Sequence, residues 1–190
     1  KEYVVSTIKV AMIVGSSRPT SLNERLARAI EKLALTNLIS ERIRIDDLSF
    51  SDSDLEKAPP PEVVRIKADV ARNAAALFVM PEFNRSIPAM LKNAIDIGSR
   101  SMADNFWRDM PGAMTGTSPG AIGTAAGQQH LRQVLSVLGA NALPGEAYVG
   151  FSSPTLIDPE GTVENEATRA FIKARVKAPK PRLNPDWSLA

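Results

Sequence analysis

The sequence predicts an α/β fold, with a parallel β-sheet and helices on both of its faces. Strand-like apolar runs alternate five times with segments whose apolar residues recur at helical spacing. Polar loops follow three of these strands, at residues 15–23, 81–88 and 117–123. Because parallel strands end at one edge of a sheet and ligands bind beyond that edge, the three loops predict where the functional site lies.

The first strand, loop and helix are the most informative stretch of the chain. The apolar run 8–14 predicts a buried strand, and apolar residues at 22, 26, 29, 30 and 33 predict a helix after the loop. Free N–H groups at a helix start bind phosphate well, and Arg18 adds a charged, forked donor. A simple capped helix is the alternative, since Ser21 and Glu24 fit the capping box S-x-x-E. The two interpretations are compatible, because a cap and a phosphate can use different N–H groups.

The remaining elements follow in order along the chain. Strands are predicted at residues 39–46, 74–80 and 111–117, with an interrupted fifth strand around 147–149. Helical spacing of apolar residues predicts four further helices, which contain residues 63–70, 91–95, 131–138 and 170–175.

Two aromatic residues, Phe106 and Trp107, lie in a polar stretch that is predicted to be a loop. Aromatic side chains are enriched at protein interfaces, so these two predict a contact between the subunits of a homo-oligomer. The alternative is that both rings fold back onto their own subunit.

The composition is typical of a soluble globular protein, with one domain at 1–176 and a proline-rich basic tail at 177–190. The tail is interpreted as either a disordered segment or an arm on a neighbouring subunit. A net charge of +2 gives little support to nucleic-acid binding, and no apolar run is long enough to span a membrane. The chain has no cysteine and one histidine, which excludes thiolate catalysis and metal sites rich in Cys or His. Residues 1–14 do not resemble a signal peptide, so a cytoplasmic location is expected.

The three loops offer no convincing acid–base pair. Glu82 is the only carboxylate in them, and a turn glutamate of this kind is interpreted as solvated or structural. Ser118 lacks the G-x-S-x-G elbow of a hydrolase nucleophile, and His130 is interpreted as structural or solvent-facing. The sequence therefore predicts no catalytic residue and no metal, but a site for a phosphate and a flat polar ring. A flavin has this chemistry and carries its own redox reactivity.

Several motifs point to one family. The first loop has Gly15-Ser16-Ser17-Arg18, with Ser21 and Asn23 following. Residues 81–88 and 91–96 read P-E-F-N-R-S-I-P and L-K-N-A-I-D, and residues 117–120 and 129–132 form two more blocks. In this order the motifs resemble those of the NADPH-dependent FMN reductase family, in its quinone and chromate reductase branch. The resemblance covers roughly residues 8–176.

The resemblance implies a flavodoxin-like three-layer sandwich whose five-stranded parallel sheet has the order 2-1-3-4-5. It also implies bound FMN, NADPH or NADH as hydride donor, and a homodimer or homotetramer. Quinones, azo compounds or metal oxyanions such as chromate would be the small-molecule electron acceptors. In the family the first loop holds the FMN phosphate, and the other two contact the isoalloxazine ring. The implied FMN-binding residues are Gly15, Ser16, Ser17, Arg18, Pro19, Thr20, Ser21, Leu22, Asn23, Pro81, Glu82, Phe83, Asn84, Ser118, Pro119 and Gly120.

The chain departs from the family pattern at a few positions. Phe83 stands where the family has tyrosine, Ala89 where glycine is frequent, and Ile97-Gly98 where Trp-Ala is common. Two alternatives to an oxidoreductase stay open at this point. One is a flavodoxin-type electron carrier, although such carriers are usually strongly acidic. The other is a non-enzymatic binding domain on the same fold.

Overall fold

The structure is a computed structural model that describes residues 7–175, apart from residues 121 and 146 and the side chain of Met102. The predicted tail at 177–190 lies outside these residues. The strands are β1 (Ile8–Val14), β2 (Leu38–Ile43), β3 (Ala75–Val79), β4 (Pro111–Ser118), β5 (Asn141–Ala142) and β6 (Tyr148–Gly150). The helices are α1 (Leu22–Leu33), α2 (Pro61–Ala71), α3 (Ala89–Gly98), α4 (Ala125–Val137) and α5 (Glu166–Arg175). Two short 3₁₀ helices span Ser53–Glu56 and Met102–Asp104.

The described strands form one parallel arrangement in the order β2-β1-β3-β4-β5, with β6 paired to β4. This confirms the predicted fold class and strand order. The fifth strand is in two pieces, because β5 pairs with the start of β4 and β6 pairs with its end. Pro144 and Gly145 lie between the pieces. Proline lacks the N–H that a ladder needs, and the φ of +108° at Gly145 is not a strand conformation.

The second strand is shorter than the predicted range of 39–46. Its last residue, Ile43, pairs with Ile13 close to the end of β1. After Val14 the first strand turns into its loop, so residues 44–46 have no strand beside them. Arg44 and Asp46 form an ion pair there instead, with Nε and Oδ1 separated by 2.8 Å.

Helices cover both faces of the sheet and give the predicted three layers. Helices α2, α3 and α4 pack over a core that includes Ile13, Phe78 and Leu91. Helices α1 and α5 pack over a second core on the other face, which includes Met12 and Ile172. Within the part of the chain that the structure describes, none of the helices has the length and apolar character needed to cross a membrane.

Trp107 belongs to the first of these cores, so the prediction that it marks a subunit interface is wrong. Its side chain is 1% exposed, and its indole Nε1 donates a hydrogen bond of 2.9 Å to the carbonyl of Ile95. Its ring centroid lies 4.4 Å from that of Phe106 and 5.6 Å from that of Phe78. Phe106 packs against the same core, half-buried. Both rings therefore fold back onto their own chain.

We expect Gly98→Ala to lower the free energy of unfolding by about 1–3 kcal/mol, the usual cost of overpacking a filled core. Gly98 ends α3 directly against the two rings. An added Cβ would overlap Phe106 and lie within 2.5 Å of Trp107 Nε1. Urea denaturation measures the change. Gly112→Ala is the matched control, because its Cβ would meet nothing nearer than Leu135 Cδ1 at 3.6 Å. An equal effect in both variants would contradict the explanation.

Candidate functional site

The first loop leaves the sheet at Gly15, where two neighbouring elements crowd the backbone. The Gly15 N–H donates to the carbonyl of Val79 at 2.9 Å, which extends the pairing of β1 with β3. A Cβ at this position would lie 3.2 Å from Met80 Cβ and 3.3 Å from Leu91 Cδ2. Any larger residue would therefore push the loop away from the sheet edge.

Several donors in the first loop are free. Among the described residues, no acceptor faces the N–H groups of Ser16, Ser17, Arg18 and Thr20. Ser21 caps α1, since its Oγ accepts from the N–H of Asn23 at 3.2 Å. The capping box is only half formed, because Glu24 accepts from Arg42 Nη1 at 3.2 Å and does not reach back to the cap. The helix cap and the free N–H groups are therefore present together. For this reason the capped helix and the phosphate-binding loop that the sequence predicts are compatible.

Arg18 is exposed at the tip of this loop. Its guanidinium has no hydrogen bond or ion pair within the described part of the chain, and only its carbonyl is used, by the Ser21 N–H at 3.0 Å. Neighbouring arginines are engaged: Arg25 donates to the carbonyl of Pro154, and Arg28 donates to that of Pro159. Arg18 is therefore available to pair with an anion.

Asn23 links the first loop to the third. Its side chain is buried, with Nδ2 donating to the carbonyl of Thr117 and Oδ1 accepting from the Thr117 N–H, both at 3.0 Å. Its own N–H is used by the Ser21 cap. The side-chain amide therefore holds the sheet edge together and is not free to contact a ligand. Leu22, next to it, packs its side chain against the α1–α5 core, so only its backbone faces the loop.

The second loop is a tight turn. Phe83 and Ser86 exchange two backbone hydrogen bonds, of 3.1 and 2.9 Å, and the residues between them, Asn84 and Arg85, have φ of +50° and +64°. Positive φ at both central positions is the type I′ geometry of a two-residue hairpin. The turn leaves Phe83 57% exposed, with Asn84 and Arg85 also on the surface.

Glu82 is turned inward from the same loop. Its side chain is 7% exposed. Its Oε2 accepts from the N–H of Gly127 at 2.9 Å, and Arg85 Nη1 lies 3.4 Å from Oε1. Gly127 is in the first turn of α4, whose N-cap residue Thr124 makes no side-chain cap. The carboxylate of Glu82 therefore supplies the missing cap. This agrees with the prediction from the sequence that Glu82 has a structural role.

The third loop is held in shape by Ser118. Its Oγ donates to the carbonyl of Gly123 at 2.9 Å and accepts from the N–H of Gly120 at 3.2 Å. Pro119 and Gly120 are exposed. A Cβ on Gly120 would meet only Ser118 Oγ, at 3.5 Å, so this stretch of backbone is open to a flat ligand.

A cavity of about 500 Å³ adjoins the first loop on the side of β2. Ser16, Arg18 and Arg42 are among the residues that line it. Arg42 is paired with both Glu24 and Glu31, at 3.2 and 2.5 Å, so its charge is already compensated. The second and third loops contribute nothing to this cavity except Met90 beyond the second. The cavity therefore adjoins the first loop only, and its lining also includes apolar residues such as Val14 and Ile43.

The chain also matches proteins of known family. A family model for NADPH-dependent FMN reductase matches residues 8–153. The chain belongs to this family. It is 41% identical over 169 residues to a quinone reductase of Pseudomonas putida, covering 88% of this chain and 90% of that protein. It is 36% identical over 167 residues to a 2-hydroxy-1,4-benzoquinone reductase of a Burkholderia species, covering 87% and 91%.

A solved structure agrees with this assignment. The flavoenzyme NAD(P)H:(acceptor) oxidoreductase FerB from Paracoccus denitrificans is 37% identical and superposes with a TM-score of 0.85, over 90% of this chain and 93% of that one. Membership of the NADPH-dependent FMN reductase family confirms the predicted enzyme class, with FMN as cofactor and NAD(P)H as donor. The chain is therefore an enzyme, and the electron-carrier and binding-domain alternatives are wrong.

The residues present at the three loops fit an FMN group. Free N–H groups and the unpaired Arg18 suit its phosphate, and the exposed Phe83 and Gly120 suit a planar ring. Among the described residues no group of three His, Asp or Glu side chains could hold a metal ion. His130 is exposed, with its Nδ1 3.0 Å from Ser86 Oγ. The carboxylate of Glu82 is bonded to the Gly127 N–H of α4, so the described part of the site holds no free acid–base pair.

We expect Asn23→Asp to destabilise the protein by about 1–3 kcal/mol at neutral pH, the cost of leaving a buried carbonyl without its donor. The carboxylate can still accept from the Thr117 N–H, but it cannot donate to the Thr117 carbonyl as Nδ2 does. The free energy of unfolding in urea measures this loss.

The pH dependence separates this cause from a general effect of charge. The carboxyl group that Asn23→Asp introduces regains a donor when it is protonated, so the deficit should shrink as the pH is lowered towards the pKa of that group. Asn84→Asp is the control, because Asn84 is exposed and aspartate tolerates its positive φ. A deficit in Asn23→Asp that matched the control would show that the link to Thr117 contributes nothing.

Proposed function

We propose that this chain is an FMN-dependent NAD(P)H:quinone oxidoreductase whose cofactor lies across the three loops. The observation that carries the proposal is the set of unpaired N–H groups beside the unpaired guanidinium of Arg18. A surface cluster of unpaired donors at a helix start is a ready anion site. The quinone reductases at 41% and 36% identity support the choice of acceptor.

The proposed placement puts the FMN phosphate in the loop formed by residues 15–22. Arg18 would pair with the phosphate, and the free N–H groups around it would donate to it. Residues 81–84 and 118–120 would border the ring. Ser21 and Asn23 would act by holding the loop, since their side-chain groups are already used inside the protein.

FMN supplies two-electron redox chemistry when it is bound. The residues of the chain then have to bind, orient and exclude water rather than exchange protons. The buried carboxylate of Glu82 orients the second loop on α4 and is largely shielded from a ligand, since its side chain is 7% exposed. The exposed ring of Phe83 adds apolar surface at the rim, which suits a flat quinone.

The other acceptors, the donor, the location and the oligomeric state are proposed from the sequence analysis. Azo compounds and chromate are further acceptors to be compared with quinones, and NADPH is to be compared with NADH as donor. We expect a cytoplasmic protein with no nucleic-acid or membrane partner. A homodimer or homotetramer is also proposed, on the resemblance to the family and not on Trp107, which is 1% exposed. Sedimentation at micromolar concentration tests it, and a single species near 20.5 kDa would contradict it.

An anaerobic titration tests the proposed function directly. Protein loaded with FMN is titrated with NADPH and then with 1,4-benzoquinone, while the flavin absorbance is followed. We expect bleaching by NADPH and full recovery on addition of the quinone. A flavin that NADPH bleaches but that quinone fails to reoxidise would contradict the acceptor. Failure of the stripped protein to take up FMN would contradict the site.

We expect Arg18→Ala to weaken FMN binding by about ten- to a hundredfold, since a charge-assisted hydrogen bond contributes about 1.5–3 kcal/mol. Quenching of flavin fluorescence during titration of the stripped protein measures the dissociation constant. Lys9→Ala is the control, because Lys9 is an exposed cation near the start of β1, at the edge of the sheet opposite to the loop. An unchanged dissociation constant in Arg18→Ala would remove Arg18 from the phosphate site.

We expect Glu82→Gln to keep most of its maximal rate with saturating FMN and quinone. The amide oxygen can still accept from the Gly127 N–H, so the cap on α4 is largely kept while the charge is lost. Steady-state kinetics gives the rate, and thermal unfolding reports the cap. A fall in rate of about a thousandfold, the scale of removing a major catalytic group, would show that Glu82 takes part in the reaction.

A further inference from the structure

Part of the sheet face under α1 and α5 is uncovered. Val10, Leu77 and Ala113 lie at the amino halves of the three central strands and are only half-buried. On the opposite face of β3, Ala76 and Phe78 are 1% and 0% exposed. The central strands of a parallel sheet are normally covered on both faces, so half-buried apolar side chains here indicate that α1 and α5 leave this part of the face uncovered.

The uncovered area is a groove between the two helices. Ile30 of α1 and Ala34, which follows that helix, form one wall, Phe171 and Arg175 of α5 form the other, and the strands form the floor as far as Leu38 of β2. Its volume is about 120 Å³, and Arg175 is the only ionisable residue among the described residues that line it. We refer to it as the α1–α5 groove. Its lining is suited to apolar side chains rather than to a charged ligand.

We propose that residues 176–190 of this chain cross the α1–α5 groove and bury apolar side chains in it. Arg175 is the last residue of α5 that the structure describes and is itself in the groove wall, so the next residue of the chain starts at the groove. The segment carries large apolar residues that could cover the floor of the groove, namely Val176, Leu183, Trp187 and Leu189. Burial of each such side chain is favourable in proportion to the apolar area removed from water.

The length of the segment fits the groove. Prolines at 179, 181 and 185 oppose continuation of α5 and favour an extended chain, which advances about 3.1 Å per residue. The floor from β4 to β2 spans three strand spacings, or about 14 Å. Leu183, eight residues after Arg175, can therefore reach any part of the floor, and Trp187 can do so as well. The proposal does not depend on the redox activity and can be tested without it.

Limited trypsin digestion of the FMN-loaded protein tests the docking. Trypsin can cut after Lys177 and Arg182, and cleavage of a docked segment follows the small fraction of time that it is open. We compare wild type with Leu38→Asp, which places a charge in the groove, and with Ile39→Asp. Ile39 is the next residue along the edge strand, is 51% exposed and points to the opposite face.

We expect cleavage after Arg182 to be at least about tenfold faster in Leu38→Asp than in wild type, and unchanged in Ile39→Asp. Equally rapid cleavage in all three proteins would overturn the proposal. A second measurement covers the case in which Leu38→Asp fails to fold. The acrylamide quenching of Trp187 is obtained as the difference between wild type and Trp187→Phe. It should be several-fold weaker in the native protein than in urea, whereas equal quenching would also overturn the docking.

Other occupants of the groove give different results. If residues 1–6 fill it, their deletion should raise the binding of an apolar dye while the tail is cleaved rapidly in every variant. If a second copy of the chain provides the tail, the slow cleavage of wild type should be lost on dilution. Either result would overturn docking of the segment onto its own chain.

Discussion

The candidate site depends on two hydrogen bonds between Asn23 and the backbone of Thr117, residues that are 94 positions apart. Asn23 stands in the first turn of α1, and Thr117 stands at the end of β4, two strands away from β1 in the sheet. A buried amide that both donates to and accepts from one residue's backbone fixes position and orientation together. The start of α1, where free N–H groups gather, is thereby tied to the third loop of the site.

Glu82 provides the second connection in the same region. Its carboxylate joins the second loop to the first turn of α4, and the Ser118 hydroxyl braces the third loop that leads into α4. Gly116 adds to this, because a Cβ there would meet the carbonyl oxygen of Met80 and lie 2.5 Å from Thr124 Oγ1. The polar side chains of the three loops are thus used mainly to hold backbone in place. A site built in this way offers backbone N–H groups, Arg18 and apolar surface to its ligand.

The sequence predicts much of this arrangement, because strand order and loop position follow from local patterns. The apolar runs and polar loops predict the three-loop edge, and the motifs predict which loop is proposed to hold the phosphate. The partners of Asn23 and Glu82 could not be predicted, since both contacts join residues far apart in sequence. The interface prediction for Trp107 fails because its neighbours in sequence are polar, whereas its burial is decided by Ile95 and Phe78 from other elements. The end of β2 at Ile43 is not visible in the local pattern because it depends on where the neighbouring β1 stops.

The cap that Glu82 places on α4 has a consequence for how an elongated anionic ligand can be oriented. Helices α1 and α4 both begin at the same edge of the sheet, and each offers the positive end of a helix dipole there. At α4 the carboxylate of Glu82, itself near Arg85, already takes the Gly127 N–H, so this end offers less to a phosphate. At α1 the neutral hydroxyl of Ser21 takes one N–H, and Glu24, the carboxylate in the first turn, is paired with Arg42. The edge is therefore polarised along its length, and a molecule with one anionic terminus has a single electrostatically favoured direction on it.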